Sequence, residues 1–273
     1  MWDNFCRAIR FLLSGQFRRV WNEVHVRLYR VVWEGLWWFF MPLRRAGRTV
    51  PGGTLARVSD FPVAFESPDH IAPKGTAVNN STNKKFVLYL DAKLHREFGD
   101  KATLRMMDLG CAGGQTVADF MTLRWHGVGM EGSDFSLKHR RANWATLANT
   151  NLFTGDITKP FQITLDGKPT TLHLITAWEV MEHIATPDLL QVFENVSRHL
   201  EPGGYFIAST TETSDIHEGL ELHQTQWTNP QWREWVAKHF PELEYVDVGL
   251  KIYQFVRYNF LHPSFLLYRK RAE

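Results

Sequence analysis

The residues of this 273-residue chain best suited to chemistry are acids and glycines that follow short apolar runs, together with two histidines. Asp108-Leu-Gly-Cys-Ala-Gly-Gly114 comes after the apolar Leu104, Met106 and Met107. It precedes Thr116, Val117, Phe120 and Met121, which recur at helical spacing. A strand, a glycine turn and a helix N-terminus make a corner where backbone N–H groups face a nucleotide. A dinucleotide fingerprint does not fit, because Ala112 and Gln115 stand where that spacing, counted from Gly110, needs glycine. A phosphate loop does not fit either, since no Gly-Lys-Ser/Thr follows Gly114. Downstream, Trp125 to Met130 reads as a second strand ending in Glu131, whose two carboxylate oxygens can accept both hydroxyls of a ribose.

Proton chemistry has two candidate centres. His183 lies in Glu179-Val-Met-Glu-His-Ile184, directly after the apolar strand Leu172 to Trp178, and His223 lies in the polar stretch Thr211 to Trp227. An imidazole that takes a proton from a weakly nucleophilic hydroxyl contributes typically about 10²–10⁴-fold to a rate. A single histidine is also common as a packed core residue, so both readings stand for each. His217, Glu218, Glu221 and His223 do not follow His-Glu-x-x-His spacing, and we expect no metal.

The elements that must position these groups alternate along the chain. Phe86, Leu90, Leu94 and Phe98 recur at steps of four after Ser81-Thr-Asn83, which reads as a helix start. Gly132-Ser-Asp-Phe-Ser136 caps a helix running through Leu137 and Trp144 towards Leu147, and Asn151 to Thr154 is a third strand ending at Gly155-Asp156. Asp166-Gly-Lys-Pro169 is a turn before the strand Leu172 to Trp178. Asp188 to Leu200 is an amphipathic helix, Glu201-Pro-Gly-Gly204 stops it, and Tyr205 to Ser209 is a fifth strand. Trp232, Trp235, Val236 and Phe240 mark a last helix. Glu244 to Val248 and Ile252 to Val256 then read as two antiparallel strands.

Asp108-x-Gly-x-x-x-Gly114, the acid Glu131, Gly155-Asp156-Ile157, Glu179-Val-Met-Glu-His183 and Leu200-x-Pro-Gly-Gly204 together resemble, in order, the motifs of the class I S-adenosylmethionine-dependent methyltransferases of small-molecule type. Ala112 departs from the middle glycine of the first motif. The resemblance implies an α/β fold, a Rossmann-like seven-stranded sheet with a terminal antiparallel hairpin, here with an N-terminal helical extension. It implies S-adenosylmethionine as cofactor, bound by Asp108, Gly110, Cys111, Ala112, Gly114, Glu131, Gly132, Asp156, Ile157, Trp178 and Glu179. Asp156 would then accept the adenine amino group, and His183 and His223 would be catalytic; Asp156 reads equally as a turn cap. A weaker resemblance, to methyltransferases of bacterial surface-polysaccharide pathways, points to a sugar or glycan hydroxyl as acceptor. The alternatives are a lipid-quinone or other small-molecule acceptor, or an inactive cofactor-binding scaffold at a membrane.

Charge divides the chain. Residues 1–57 hold ten Arg and three acids, a local +7, while the remainder carries 21 basic and 26 acidic residues, a local −5. Residues 1–46 form an amphipathic basic and aromatic extension, with Phe5 to Val24 at helical spacing and a 13-residue apolar stretch, Val31 to Leu43. That stretch is too short to span a bilayer, which takes about 20 apolar residues. It suits peripheral membrane contact through residues 1–45, or packing on the domain or on a second copy in a homodimer. No nucleic-acid motif accompanies it. Residues 47–80 are an irregular connection and a candidate lid carrying Asp69, His70 and Lys74; 81–260 are the catalytic domain and 261–273 a basic tail. With only Cys6 and Cys111, a disulfide framework is not expected and a cytoplasmic location is, peripheral at the inner membrane face if the extension binds lipid.

Overall fold

A computed structural model describes residues 15–73, 84–246 and 264–272. The elements in chain order are α1 (Gly15–Arg45), β1 (Leu55–Val58), α2 (Pro68–Ile71), α3 (Lys84–Phe98), β2 (Arg105–Leu109), α4 (Gln115–Thr122) and β3 (His126–Glu131). There follow α5 (Phe135–Lys138), α6 (Trp144–Leu147), β4 (Leu152–Thr154), β5 (Gln162–Leu165), β6 (Lys168–Pro169) and β7 (Leu172–Trp178). The chain then forms α7 (Leu189–His199), β8 (Leu200–Thr210), β9 (Ile216–His217), β10 (Leu220–Glu221), α8 (Asn229–His239), β11 (Leu243–Tyr245) and β12 (Ser264–Lys270).

The main sheet has seven strands in the order β11-β12-β8-β7-β2-β3-β4. From β8 to β4 the strands are parallel, and β12 and β11 close the far edge antiparallel. Its central strands are buried on both faces, which is why β2 and β7 read as near-continuous apolar runs. Alternation still sorts their side chains. Met106 packs with Phe86, Leu90 and Leu94 of α3 and Val117 and Phe120 of α4. Met107 and Leu109 face the other way, with Phe193 of α7 and Trp232 of α8 in the second core. The expected Rossmann-like sheet is therefore present.

Several elements differ from the sequence reading. The strand that pairs with β11 is β12, in the stretch set apart as a basic tail; the expected partner, Ile252 to Val256, lies outside the described residues, as do Ser81 to Asn83 and Lys74. β12 qualifies because Leu266 and Tyr268 enter one core and Leu267 the other. The single helix expected from Leu137 to Leu147 is two short ones, interrupted where Arg140 and Ala142 take left-handed φ of +47° and +48°. The irregular connection contributes β1, antiparallel to β5 in a three-stranded sheet β1-β5-β6. Thr211 to Trp227 includes a hairpin, β9–β10.

The apolar stretch Val31 to Leu43 belongs to α1, one continuous helix through Arg45. Trp37 and Met41 are buried against the domain, and Lys84 sits over the Trp37 ring. The extension is anchored just beyond its end. Arg48 reaches Asp91 of α3 at 2.6 and 3.2 Å, and Asp91 also accepts the Trp125 indole N–H at 2.8 Å. Burial alone would raise the Asp91 pKa, but hydrogen bonds from His95, Arg48 and Trp125 outweigh it and hold the carboxylate below its usual range. No helix among the described residues is long and apolar enough to cross a membrane.

Candidate functional site

The turn after β2 is built by its glycines. Gly110 and Gly114 have φ of +65° and +81°, and a Cβ on either would lie 2.3 Å from Val180 Cγ2 or 2.5 Å from Leu152 Cδ1. Gly110 N and Cys111 N donate to Met130 O at 2.8 and 3.1 Å, stitching the turn to the end of β3. Ala112, the residue that departs from the motif, is also left-handed, at φ +45°. A side chain in that region costs about 1–2 kcal/mol. Two bonds offset it: Ala112 N donates to Glu131 Oε2 at 2.7 Å, and the Trp144 indole donates to Ala112 O at 2.7 Å.

Glu131 is thus brought to the glycine turn, with Oε1 accepting from Ser133 N at 3.4 Å. Asp108 stands differently. It is fully buried, accepts from Thr176 Oγ1 at 2.6 Å, and ties β2 to β7 from inside the sheet. Burial pushes its pKa up to about 7, with the nearby Glu131 adding to the rise and hydrogen bonds from Thr176 and Thr116 opposing it. Cys111 is buried too, and its thiol is pushed well up by burial and by the Glu131 and Asp108 charges.

At the adjacent strand ends, Ala64 N of the connection donates to Gly132 O at 2.9 Å, and Asp156 N donates to Phe61 O at 3.1 Å. Residues 61–64 therefore lie across the tips of β3 and β4. Asp156 Oδ1 accepts from Thr158 N and Oγ1 at 2.8 and 2.6 Å, the turn-capping geometry the sequence also allowed. Ile157 is a core residue. Trp178 meets Phe86 edge to face at 5.0 Å.

A second cluster forms where β7 ends. Glu179, at φ +55°, donates its N–H to Ser209 of β8 and accepts from the Ser209 hydroxyl at 2.7 Å. Met181 to His183 then make one 3₁₀ turn in which Glu182 is fully buried. His183 Nδ1 lies 2.8 Å from Asp69 Oδ2, an oblique charge contact, and its ring meets the His223 ring at 4.7 Å, edge to face. Burial lowers the His183 pKa, but Asp69, with Glu182 and Glu179 nearby, more than offsets this and leaves it above its ordinary value. Thr225 N donates to Glu182 O at 2.9 Å and Thr225 Oγ1 to Ile184 O at 2.7 Å, so the loop carrying His223 is fastened to the 3₁₀ turn. Both expected histidines are brought together. Asp69 was singled out only as a loop acid; its partner could not be read because the two segments are far apart in sequence.

The two clusters touch, since Gly110 abuts Val180 of the Glu179–His183 segment. Both sit at the carboxyl rim of the parallel strands, where open α/β sheets bind ligands. A cavity of about 360 Å³ lined by Leu55, Trp125, His126 and Asn151 lies at the opposite rim and is not part of this site.

Residues 84–247, more than half of the chain, match the methyltransferase-domain family. The chain belongs to that family. The class expected from the five motifs, an S-adenosylmethionine-dependent methyltransferase, is borne out, and S-adenosylmethionine is its cofactor. No curated protein sequence matches this methyltransferase. Matching solved structures include an S-adenosylmethionine-dependent methyltransferase from Clostridium acetobutylicum, 14% identical with a TM-score of 0.48 over 75% of this chain and 97% of that one. Another is CalS10, an amino pentose methyltransferase from Micromonospora echinaspora bound to S-adenosylmethionine, at 17% identity, TM-score 0.46, 73% of this chain and 95% of its own. A third is magnesium protoporphyrin IX methyltransferase from Synechocystis with bound S-adenosylhomocysteine, at 11% identity, TM-score 0.46, 76% of this chain and 96% of its own.

Proposed function

We propose that this methyltransferase transfers the methyl group to a hydroxyl of a sugar or glycan. The observation that supports the reading is the abutment of the Gly110–Gly114 turn on the Glu179–His183 segment, which would set a sulfonium donor against a polar acceptor cluster. The backbone turn would hold the methionine end, Glu131 the ribose and Asp156 Oδ2 the adenine amino group. Methyl transfer is an in-line displacement whose thioether leaving group needs no protonation, so alignment is most of the task. A hydroxyl acceptor must also lose its proton, and His183 and His223 are placed to assist. Asp69, Glu182, Thr186 and Thr225 around them favour a polyhydroxylated acceptor over an apolar ring.

The exposed face of α1 supports a membrane-surface location. Val31, Trp38, Phe39 and Leu43 are each more than 60% exposed, beside Arg44 and Arg45, a composition suited to an anionic lipid interface. Liposome flotation of the full chain against Trp38→Ser/Phe39→Ser tests it; equal recovery of both would remove the membrane from the account. Labelled-methyl transfer over nucleotide sugars, lipid-linked glycans and quinone precursors tests the acceptor class. Label in the quinone precursors alone would replace the sugar reading, and failure to bind S-adenosylhomocysteine at all would leave a scaffold.

A further inference from the structure

We propose that Glu182, His183 and His223 form a binding site for one divalent transition-metal ion at the acceptor side of the cleft. One ligand atom from each of these residues lies within 4.8 Å of the others. Two imidazoles and one carboxylate are the donor set of a facial triad, which holds a first-row ion such as Zn²⁺, Mn²⁺ or Fe²⁺ and leaves positions open for exogenous oxygen ligands. Magnesium, which favours all-oxygen octahedral surroundings, fits this donor set less well.

A second, independent observation comes from the other nitrogen of each ring. His183 Nδ1 faces the Asp69 carboxylate at 2.8 Å, and His223 Nδ1 faces the Thr213 carbonyl at 2.5 Å. Metal-bound histidines almost always place their remaining N–H against a carboxylate or a backbone carbonyl, which fixes the tautomer and leaves Nε2 as the lone-pair donor. The His223 ring is set in that way by its bond to Thr213 O, while His183 Nδ1 has the Asp69 carboxylate beside it at an oblique angle. The loop is also preset, since Glu221 accepts from His223 N at 2.9 Å and the Thr225 bonds fasten the segment to the 3₁₀ turn.

Within Thr211–Trp227, His217, Glu218, Glu221 and His223 do not share a metal-binding spacing with one another. The fold sets His223 against a different segment.

Its use rests on the proposed methyl transfer. A hydroxyl of the acceptor bound at an open position would lose its proton to solvent more readily, so that His183 and His223 would assist by holding the ion and not by taking the proton themselves. The oxygen then forms the O–CH₃ bond as the C–S bond of the sulfonium breaks, and neutral S-adenosylhomocysteine leaves. An acceptor with two neighbouring oxygens, such as a vicinal diol, would fill two positions.

The test uses the full chain stripped with chelator and dialysed. Co²⁺ is followed by its ligand-field absorption, Zn²⁺ by competition with a chromogenic chelator, and S-adenosylhomocysteine by calorimetry on the same preparation. The site predicts one equivalent of Co²⁺ displaced by Zn²⁺, with affinity lowered at least tenfold in His183→Ala and in His223→Asn, and about 10–100-fold in Asp69→Asn. S-adenosylhomocysteine affinity stays within about twofold in each, which also shows that the variants fold. His223→Asn, on the loop, keeps the test open should Glu182→Gln at the buried position fail to fold. Absence of stoichiometric binding, or binding by His183→Ala and His223→Asn as tight as by the wild type, overturns the site. Binding of S-adenosylhomocysteine without metal removes this inference alone; metal without S-adenosylhomocysteine removes the methyl-transfer reading alone.

Discussion

Replacing Glu131 by Gln tests how the donor is held. The carboxylate already takes Ala112 N at 2.7 Å and Ser133 N at 3.4 Å, and in the complex it would also take ribose hydroxyls. The amide keeps one acceptor oxygen and turns the other into a donor, so it cannot serve the turn and the ribose together. Hydrogen bonds to a charged group contribute about 1.5–3 kcal/mol each, and losing one at the ribose corresponds to about 10–150-fold weaker binding. Calorimetric titration of S-adenosylhomocysteine into both proteins measures this. Circular dichroism and thermal melting confirm that the variant is folded. An affinity unchanged within about twofold in a folded Glu131→Gln protein would show that this carboxylate does not carry the ribose.

Other consequences can be checked separately. Gly114→Ala must place a Cβ 2.5 Å from Leu152 Cδ1 in a left-handed backbone, and cofactor affinity is expected to fall at least tenfold in calorimetry with the domain still folded. Arg48→Ala leaves Asp91 without the partner it holds at 2.6 Å in a buried setting, and denaturant unfolding should show a loss of about 3 kcal/mol. His199 accepts Ile163 N at Nε2 and contacts Asn195 O through Nδ1, and burial lowers its pKa to about 4 from 6.5. The folded state holds it neutral while the unfolded chain protonates, so its contribution is intact above pH 6.5 and falls away down to about pH 4. Relative to His199→Gln, the wild type should therefore lose about 3 kcal/mol between pH 7 and pH 4 in urea unfolding; a constant difference would contradict this.

The parts of this molecule that could be read in its sequence are those in which one local rule decides the outcome. β2, the glycine turn and α4 follow from apolar residues and glycines whose backbone no other residue fits. The place of Glu131 at the end of β3 was legible from the apolar run before it, but its bond to Ala112 N was not. The bond from Thr176 to Asp108 could not be read, because two strands distant in sequence set it. β12 was not read as a strand because Ser264 to Lys270 runs into a basic end, and its place is set by pairing with β8, a strand distant in sequence. The break between α5 and α6 depends on left-handed Arg and Ala, residues that give no warning of it. The Asp69–His183–His223 arrangement joins three segments through tertiary contacts alone.

A crystal structure of the full chain with S-adenosylhomocysteine bears most directly on the donor pocket. The account predicts the homocysteine against the Gly110–Gly114 turn, both ribose hydroxyls on the Glu131 carboxylate, the adenine amino group on Asp156 and the sulfur turned towards His183 and His223. Ligand density in the cavity beside Trp125 and His126 at the opposite rim, with the glycine turn untouched, would contradict it.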